Sequence, residues 1–293
     1  MKNYQVQKSI KSTIIYIFMI VFALIAIVPV WVLLINATRS TAQINKGLSI
    51  FPSIHAFSDW TDPANGVVTK SNWYALTSRN FQIAHGFRNS LIVSGLSTIL
   101  NVYFSALTAY AIHVYRFKGR KILWGVIMTL IMLPASLSFI GFYQFMAKIH
   151  LTNTYIPLIV PAMAAAGTVL FIKQYLESVL SLELIEASRI DGAGEFLIFN
   201  RIIIPVIKPA LATQAIFAFV ASWNNFMTPF VLLSKTEKYT LPMLVQMLRG
   251  DIYRTEYGGI YLGIAISLVP IIIFYCFMSK FIISGLTMGS VKE

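Results

Sequence analysis

Residues Thr13–Ile35 read TIIYIFMIVFALIAIVPVWVLLI, 23 residues without a single Asp, Glu, Lys or Arg. A run of 18 or more apolar, uncharged residues is long enough for a helix to cross the hydrocarbon core of a bilayer. Five further stretches share the property: Asn89–Ile112, Ile122–Ala147, Thr154–Ile172, Pro209–Ser234 and Tyr257–Ser279. One charge at mid-bilayer costs about 2.5–3.5 kcal/mol on insertion scales, which explains charge-free stretches in a membrane protein. A soluble chain has no reason to avoid that cost six times.

Composition agrees. The chain is 57% hydrophobic and only 12% charged, about half the charged share of a soluble globular protein. Too few charges flank the apolar segments to clothe them as buried helices of a soluble core. The predicted fold is therefore an all-α polytopic membrane protein with about six transmembrane helices. Residues 1–12 form the N-terminus, 13–35 the first crossing, 36–88 an external segment, 89–284 a core of five further helices and 285–293 a tail. The first apolar segment is too long for a signal core and lacks a small-x-small cleavage site, so it reads as a retained helix. Cys276, the one cysteine, excludes an intrachain disulfide framework and reads as a small buried hydrophobe.

Orientation follows from the loop Val114–Lys121, whose Arg116, Lys118, Arg120 and Lys121 have no acid among them. The positive-inside rule puts that loop in the cytoplasm. Six crossings then place both termini and residues 173–208 there too, in agreement with Lys2, Lys8 and Lys11. Arg249 and Arg254 run against the rule. The net charge of +12 is spread over many loops without an aromatic-basic stripe, so no nucleic acid is expected. The external segment carries Phe51, Phe57, Trp60, Trp73, Tyr74 and Phe81, with turn formers Asp62-Pro63 and Asn65-Gly66. These aromatics are expected to pack a small cap or to lie at the interface.

Residues 173–208 are far longer than a reversal requires. Ser181 suits a helix N-cap, with Glu183 in the first turn. Asp191-Gly192 should end that helix. Phe196, Phe199 and Ile203 then share one face of a second helical stretch, Pro205 suits a helix start, and Pro209 starts or kinks the fifth crossing. Such an amphipathic helix can lie in the lipid interface or dock a soluble partner. Glu186 and Asp191 favour docking, since anionic headgroups repel acids.

The spacing here resembles a known signature. Glu186-Ala187-Ser188, three residues, Gly192, nine residues and Ile202-Ile203-Ile204-Pro205 resemble the loop of ABC-importer permeases that reads Glu-Ala-Ala, three residues, Gly, nine residues, Ile-x-Leu-Pro. Ser188 and Ile204 are the departures, both small in volume. The rest of the chain looks like the MalG-type subunit of carbohydrate importers. Ser222-Trp223-Asn224-Asn225-Phe226 and the tail Gly285–Lys292 carry that likeness.

The resemblance implies a type I importer permease fold in a bacterial inner membrane. It implies a second, homologous permease subunit, as a heterodimer. Two ATP-binding subunits would carry ATP and Mg2+, and an extracytoplasmic solute-binding protein would deliver a carbohydrate. Glu186, Ala187, Ser188, Asp191, Gly192 and Pro205 would belong to the coupling segment. Gly285, Thr287, Gly289 and Lys292 would contact the ATPases, and the external loop 235–256 would meet the binding protein. Tyr103, Tyr110, Tyr143, Trp223, Asn224 and Asn225 are candidates for the translocation path. They offer the aromatic faces and amides that a sugar site uses.

The chain itself is expected to bind no cofactor or metal and to catalyse nothing. It has no phosphate-binding Gly-rich loop. Its histidines, His55, His85, His113 and His150, are scattered. No apolar segment holds the carboxylate that ion-coupled porters often use, which argues against a secondary transporter. A permease for a solute other than sugar stays open.

Overall fold

The computed structural model describes residues 2–61, 66, 68–77, 83–134, 139–248 and 256–289. The chain divides into two compact units, residues 1–83 with 245–268, and residues 84–244 with 269–293.

In the first unit, the expected first crossing is a single helix, α1 (Lys2–Ala37), with Pro29 inside it. Its stretch Lys11–Ala37 has a mean hydropathy of 3.0, and the large apolar side chains from Ile14 to Trp31 stand exposed. Lipid or another subunit must cover them, because leaving them in water would forfeit about 1.5–3 kcal/mol per side chain.

Residues 38–77 follow as short elements: α2 (Thr41–Asn45), strands β1 (Trp60–Thr61) and β2 (Val68–Thr69), paired antiparallel, and α3 (Asn72–Thr77). Ser40 and Gln43 close a capping box at the start of α2: each side chain bonds the other's backbone N–H, at 3.2 and 2.9 Å. The N–H groups of Ser40 and Gln43 are thereby satisfied. Buried polar groups hold this cap. Arg39, only 8% exposed, donates to Asn36 Oδ1, the Gly47 carbonyl and the Gln43 carbonyl. Asn72 Nδ2 donates to the carbonyls of Ala37 and Arg39 at 2.9 and 3.0 Å. Asp59 accepts from Lys70 Nζ at 2.8 Å and from the Ser71 N–H at 3.0 Å, which lowers its carboxyl below the usual range. Phe51, Phe57, Trp73 and Tyr74 are exposed, and the rings of Phe57 and Trp73 meet at 5.9 Å. Trp60 has no described side chain, and Asp62-Pro63, Asn65 and Phe81 lie outside the described residues.

The second unit runs through α4 (Ile83–Val114), α5 (Arg120–Met132), α6 (Phe139–Lys148), α7 (Ile156–Ile159) with a 3-10 turn (Val160–Ala164), and α8 (Ala166–Val179). Then come α9 (Leu182–Ile190), α10 (Glu195–Ile198), a π turn (Phe199–Ile203), α11 (Ile204–Val206), α12 (Lys208–Trp223), α13 (Met227–Leu232) and α14 (Leu241–Met247). The last helix, α15 (Tyr257–Gly289), passes through both units.

Among the described residues, four helices are long and apolar enough to cross a bilayer: Lys11–Ala37, Ile83–Val114, Ile156–Val179 and Tyr257–Phe281. A fifth is counted if the pair Glu195–Val206 and Lys208–Trp223, bent by 81°, is one span. The expectation of six differs at two places. Ile122–Ala147 divides into α5 and α6. Leu133 is extended (φ −78°, ψ 131°) in front of Pro134, the conformation that a following proline imposes. Pro209–Ser234 breaks at Asn224–Phe226, between α12 and α13. Apolarity counts residues that tolerate lipid and does not report where the helix stops. Cys276 is exposed on α15, not buried. The tail beginning at Gly285 is helical in backbone up to Gly289.

One apolar core organises the second unit. Ala106, Ala109, Tyr110 and Ile112 of α4 pack with Ile127 of α5, Val169, Ile172 and Leu176 of α8, and Ile185, Ile198, Phe199, Ile203 and Ile207 of the segment after Leu180. The polar-looking loop is thus anchored into the same core as the long helices.

Candidate functional site

The short helix expected after Ser181 is α9, Leu182–Ile190. Ser181 is its extended N-cap residue (φ −84°, ψ 139°), although its hydroxyl makes no capping bond, and Asp191 is its C-cap. Gly192 adopts φ +82°. The Gly192 N–H donates to the Arg189 carbonyl and the Ala193 N–H to the Ser188 carbonyl, both at 3.0 Å. These two bonds define a Schellman motif, in which a left-handed residue satisfies the last helical carbonyls. Asp191-Gly192 therefore ends the helix for the reason the sequence suggested.

The helix presents two faces. Ile185 and Ser188 are buried, and the Ser188 hydroxyl donates to the Leu184 carbonyl at 2.7 Å. That back-bond shows how a serine sits where the permease signature has alanine. The other face carries Glu183, Glu186, Ala187 and Ile190, all exposed. Glu186 makes no hydrogen bond or ion pair among the described residues. Across the Gly192 turn, Phe196 is 75% exposed, so it leaves the face expected to hold it with Phe199 and Ile203. Two residues from the fully buried Ile198, it lies about 200° round the helix. Ile190 and Phe196 thus stand exposed on either side of the Gly192 turn, as do the acids Glu186 and Asp191.

Pro205 lies within α11, directly after the π turn. In an α-helix its ring would crowd the carbonyl four residues back, at Arg201. The wider turn Phe199–Ile203, in which the Ile204 N–H reaches the Phe199 carbonyl, relieves that crowding. Pro209 sits in the first turn of α12, beyond the bend at Ile207 (φ −93°, ψ 12°).

The candidates for a path lie on α4, on α6 and at the end of α12. Trp223 is 1% exposed, stacked on Phe219 and edge-on to Phe87 at 5.7 Å, so it packs the core. Tyr110 is buried. Tyr103 donates to Asn200 Oδ1 at 3.4 Å and meets Phe199 edge-on, and Tyr143 is half-exposed on α6. Asn224 and Asn225 lie at the helix break. Asn225 Oδ1 accepts the Thr228 N–H, and its Nδ2 donates to the Thr228 hydroxyl, both at 3.2 Å, which caps α13. Asn224 is exposed and makes no side-chain hydrogen bond among the described residues. Side chains of Gly285, Thr287 and Gly289 are not described, and Lys292 lies outside the described residues.

Two residues that sequence reasoning passed over fix the loop after α13. Asn89 Nδ2 donates to the carbonyls of Glu237 and Tyr239 at 2.8 and 3.0 Å. Asn153, at φ +58°, accepts the Ser234 and Lys235 N–H groups on Oδ1 at 3.3 and 3.2 Å. An asparagine beside an apolar run is the available signal, since a buried amide needs partners. Residues 249–255 of the expected external loop, including Arg249 and Arg254, lie outside the described residues.

An all-α chain with several apolar spans and a capped surface helix is the architecture of a membrane permease. Residues 101–287 match the model of the binding-protein-dependent transport system inner membrane component family, and the chain belongs to that family of ABC transporter permeases. It is 30% identical over 295 residues to the arabinooligosaccharides transport system permease protein AraQ of Bacillus subtilis, covering 100% of each chain. It is 33% identical over 271 residues to AraQ of Halalkalibacterium halodurans, covering 92% of each. The trehalose/maltose transport system permease protein MalG of Thermococcus litoralis is 32% identical over 207 residues, 70% of this chain and 74% of that one. Its fold is that of a chain in the crystal structure of a bacterial ABC transporter involved in the import of the acidic polysaccharide alginate. That match has a TM-score of 0.76 and 22% identity, and covers 92% of this chain and 96% of the other.

Proposed function

We propose that this chain is the permease subunit of an ATP-driven, binding-protein-dependent importer of an oligosaccharide, and that α9 is its joint with a separate ATPase subunit. Family membership supports the transporter class. The sugar reading rests on the relatives, whose names give arabinooligosaccharides and trehalose/maltose as cargo. The chain works beside a second permease subunit, with both termini and residues 173–208 in the cytoplasm and a solute-binding protein outside. ATP and Mg2+ belong to the ATPase pair. The tail from Gly285 reaches that pair as well.

The observation that carries the joint is the free face of α9. Glu186, Ile190 and Phe196 stand exposed around a turn closed by Gly192. An acid flanked by two large apolar groups suits a protein groove with an apolar floor and a basic rim. ATP-driven closure of the ATPases would then pull α9, and the packed core beneath it would transmit the displacement because packed interiors yield little. Asn224, exposed at an unwound break in an apolar segment, is the strongest path residue. Irregular backbone at membrane depth is tolerated where it lines a cavity.

Gly192→Asp and Glu186→Ala test the joint in the reconstituted complex. Each variant should insert normally yet co-purify poorly with the ATPase subunit, or hydrolyse ATP without driving uptake. Normal assembly together with normal stimulated hydrolysis and uptake in both would remove the assignment.

A further inference from the structure

Glu195 lies three residues beyond Gly192 and gathers contacts from two separate elements. Its Oε1 accepts Arg189 Nε at 2.7 Å, from the last turn of α9. Its Oε2 accepts the Tyr110 hydroxyl at 3.3 Å and the Tyr115 hydroxyl, from the end of α4 and the residue after Val114. The Arg189 guanidinium lies 5.6 Å from the centre of the Tyr115 ring, and the Tyr115 and Tyr110 rings meet edge-on at 5.7 Å. Burial pushes the Tyr115 phenol upward, and its bond to the carboxylate adds to that. Tyr115 thus remains a donor to Glu195.

The need for such a contact follows from what else holds α9. Ile185 and Ser188 are its buried residues. Apolar contact is non-directional. It resists lifting the helix away and does little against sliding or rotation. The turn after α9 contains Gly192 and Gly194, and a Cβ at either would meet no atom within 4 Å. Hydrogen bonds constrain angles as well as distances. One carboxylate tied to both α9 and α4 supplies the constraint that the apolar keel lacks.

We propose that Glu195 is a positioning residue that makes α9 and the C-terminal end of α4 move as one body. Displacement of α9 by an ATPase subunit then reaches the α4 membrane helix without slippage. The inference rests on the docking role proposed above for α9.

Pulsed electron-spin distances test it. Glu183→Cys and Arg116→Cys carry the labels, one on α9 and one beside Tyr115, in a Cys276→Ser background. The permease is measured in nanodiscs, alone and with its ATPase subunits, with and without ATP-vanadate. With Glu195 present the distribution should be narrow and unmoved by trapping. In Glu195→Ala it should be broader, because the ties to Arg189, Tyr110 and Tyr115 are lost together, and it should shift on trapping. Glu195→Gln keeps an acceptor for the tyrosine hydroxyls and should restore most of the narrow distribution, which a general loss of stability would not allow. Tyr110→Phe with Tyr115→Phe leaves the Arg189 pair intact and should broaden the distribution in the same sense, even if the alanine variant fails to insert. A distribution in Glu195→Ala and in the double tyrosine variant as narrow as in the unchanged chain would overturn the proposal. So would an equal shift on trapping with and without Glu195. The measurement on the permease alone does not depend on the ATPases, so a failure of docking is read separately from a failure of Glu195.

Discussion

Residues 38–77 and residues 181–207 are both built from short elements between long helices, yet they are held by opposite means. The first is organised by buried polar groups, Arg39, Ser40, His55, Ser71 and Asn72: Arg39 and Asn72 donate to backbone carbonyls, and the Ser40 and Ser71 hydroxyls accept backbone N–H groups. The second is pinned by an apolar row, Ile185, Ile198, Phe199, Ile203 and Ile207, with polar groups confined to caps and to Glu195. A polar network is satisfied completely or costs heavily, whereas an apolar row tolerates small shifts. The cap should therefore fail sharply under single substitutions, and the docking segment should yield gradually. Hydrogen exchange resolved along the sequence can measure both in one experiment.

Gly258→Ala should have the largest effect. A Cβ there would stand 2.2 Å from Asn72 Oδ1 and 2.5 Å from the Arg39 carbonyl, so the network must move apart. We expect a loss of about 3 kcal/mol or more, seen as faster exchange across 38–77 with 181–207 unchanged. Protection of the cap equal to that of the unchanged chain would break the contrast.

Arg39→Met comes next. It leaves Asn36 Oδ1 and the carbonyls of Gly47 and Gln43 without their donor, for an expected cost of about 2–4 kcal/mol. A shift in thermal midpoint smaller than that of Gly192→Ala would show that these acceptors find other donors.

Gly192→Ala sharpens the comparison from the other side. Its added Cβ meets nothing within 4 Å, so only the left-handed backbone (φ +82°) is penalised. The expected cost is about 1 kcal/mol, confined to exchange at residues 188–193. Two glycines thus differ threefold or so in importance, one for want of space and one for want of a conformation.

The smallest effect is that of pH on His55. Burial lowers its pKa below 6.5, while the carboxylates of Asp59 and Glu256 pull the other way. A depressed value means that the folded cap binds the proton less readily than the unfolded chain. Stability is therefore flat above about pH 6.5 and falls as the pH drops through the folded value. Once divided by the intrinsic exchange rate, which itself falls with pH, the opening of residues 53–59 should grow as the pH drops from 7.5 to 5.5 in the unchanged chain and stay level in His55→Gln.

The same contrast explains what the sequence made legible. The end and turn of α9 are written in Asp191-Gly192, because that cap is local and closes within six residues, and Ser181 marks the start by position although its hydroxyl makes no capping bond. The tie from Asn72 to Ala37 crosses 35 positions, and no pattern in the intervening chain announces it. Phe196 leaves the face of Phe199 and Ile203 because the buried Ile198, two residues on, fixes the inward direction of that short helix, which the spacing of the phenylalanines alone does not reveal. Asn224 and Asn225 were visible as costly amides, but their place at a helix break was not, since neither is a helix breaker of the kind proline is. Trp223 shows the limit of residue type as a guide: the side chain that suits a sugar also fills a core.

The widened turn at Phe199–Ile203 makes the distance between Gly192 and Pro205 a matter of number more than of identity. Serine stands at 188 where the permease signature has alanine, and isoleucine at 204 where it has leucine, while the count of residues between the anchors matches that signature. Removing or adding one residue would turn everything downstream by about 100° around the helix axis. Phe199 and Ile203 would swing out of the core, and the 81° elbow ahead of α12 would point elsewhere. The segment behaves as a ruler: its markings can be rewritten, but its length cannot.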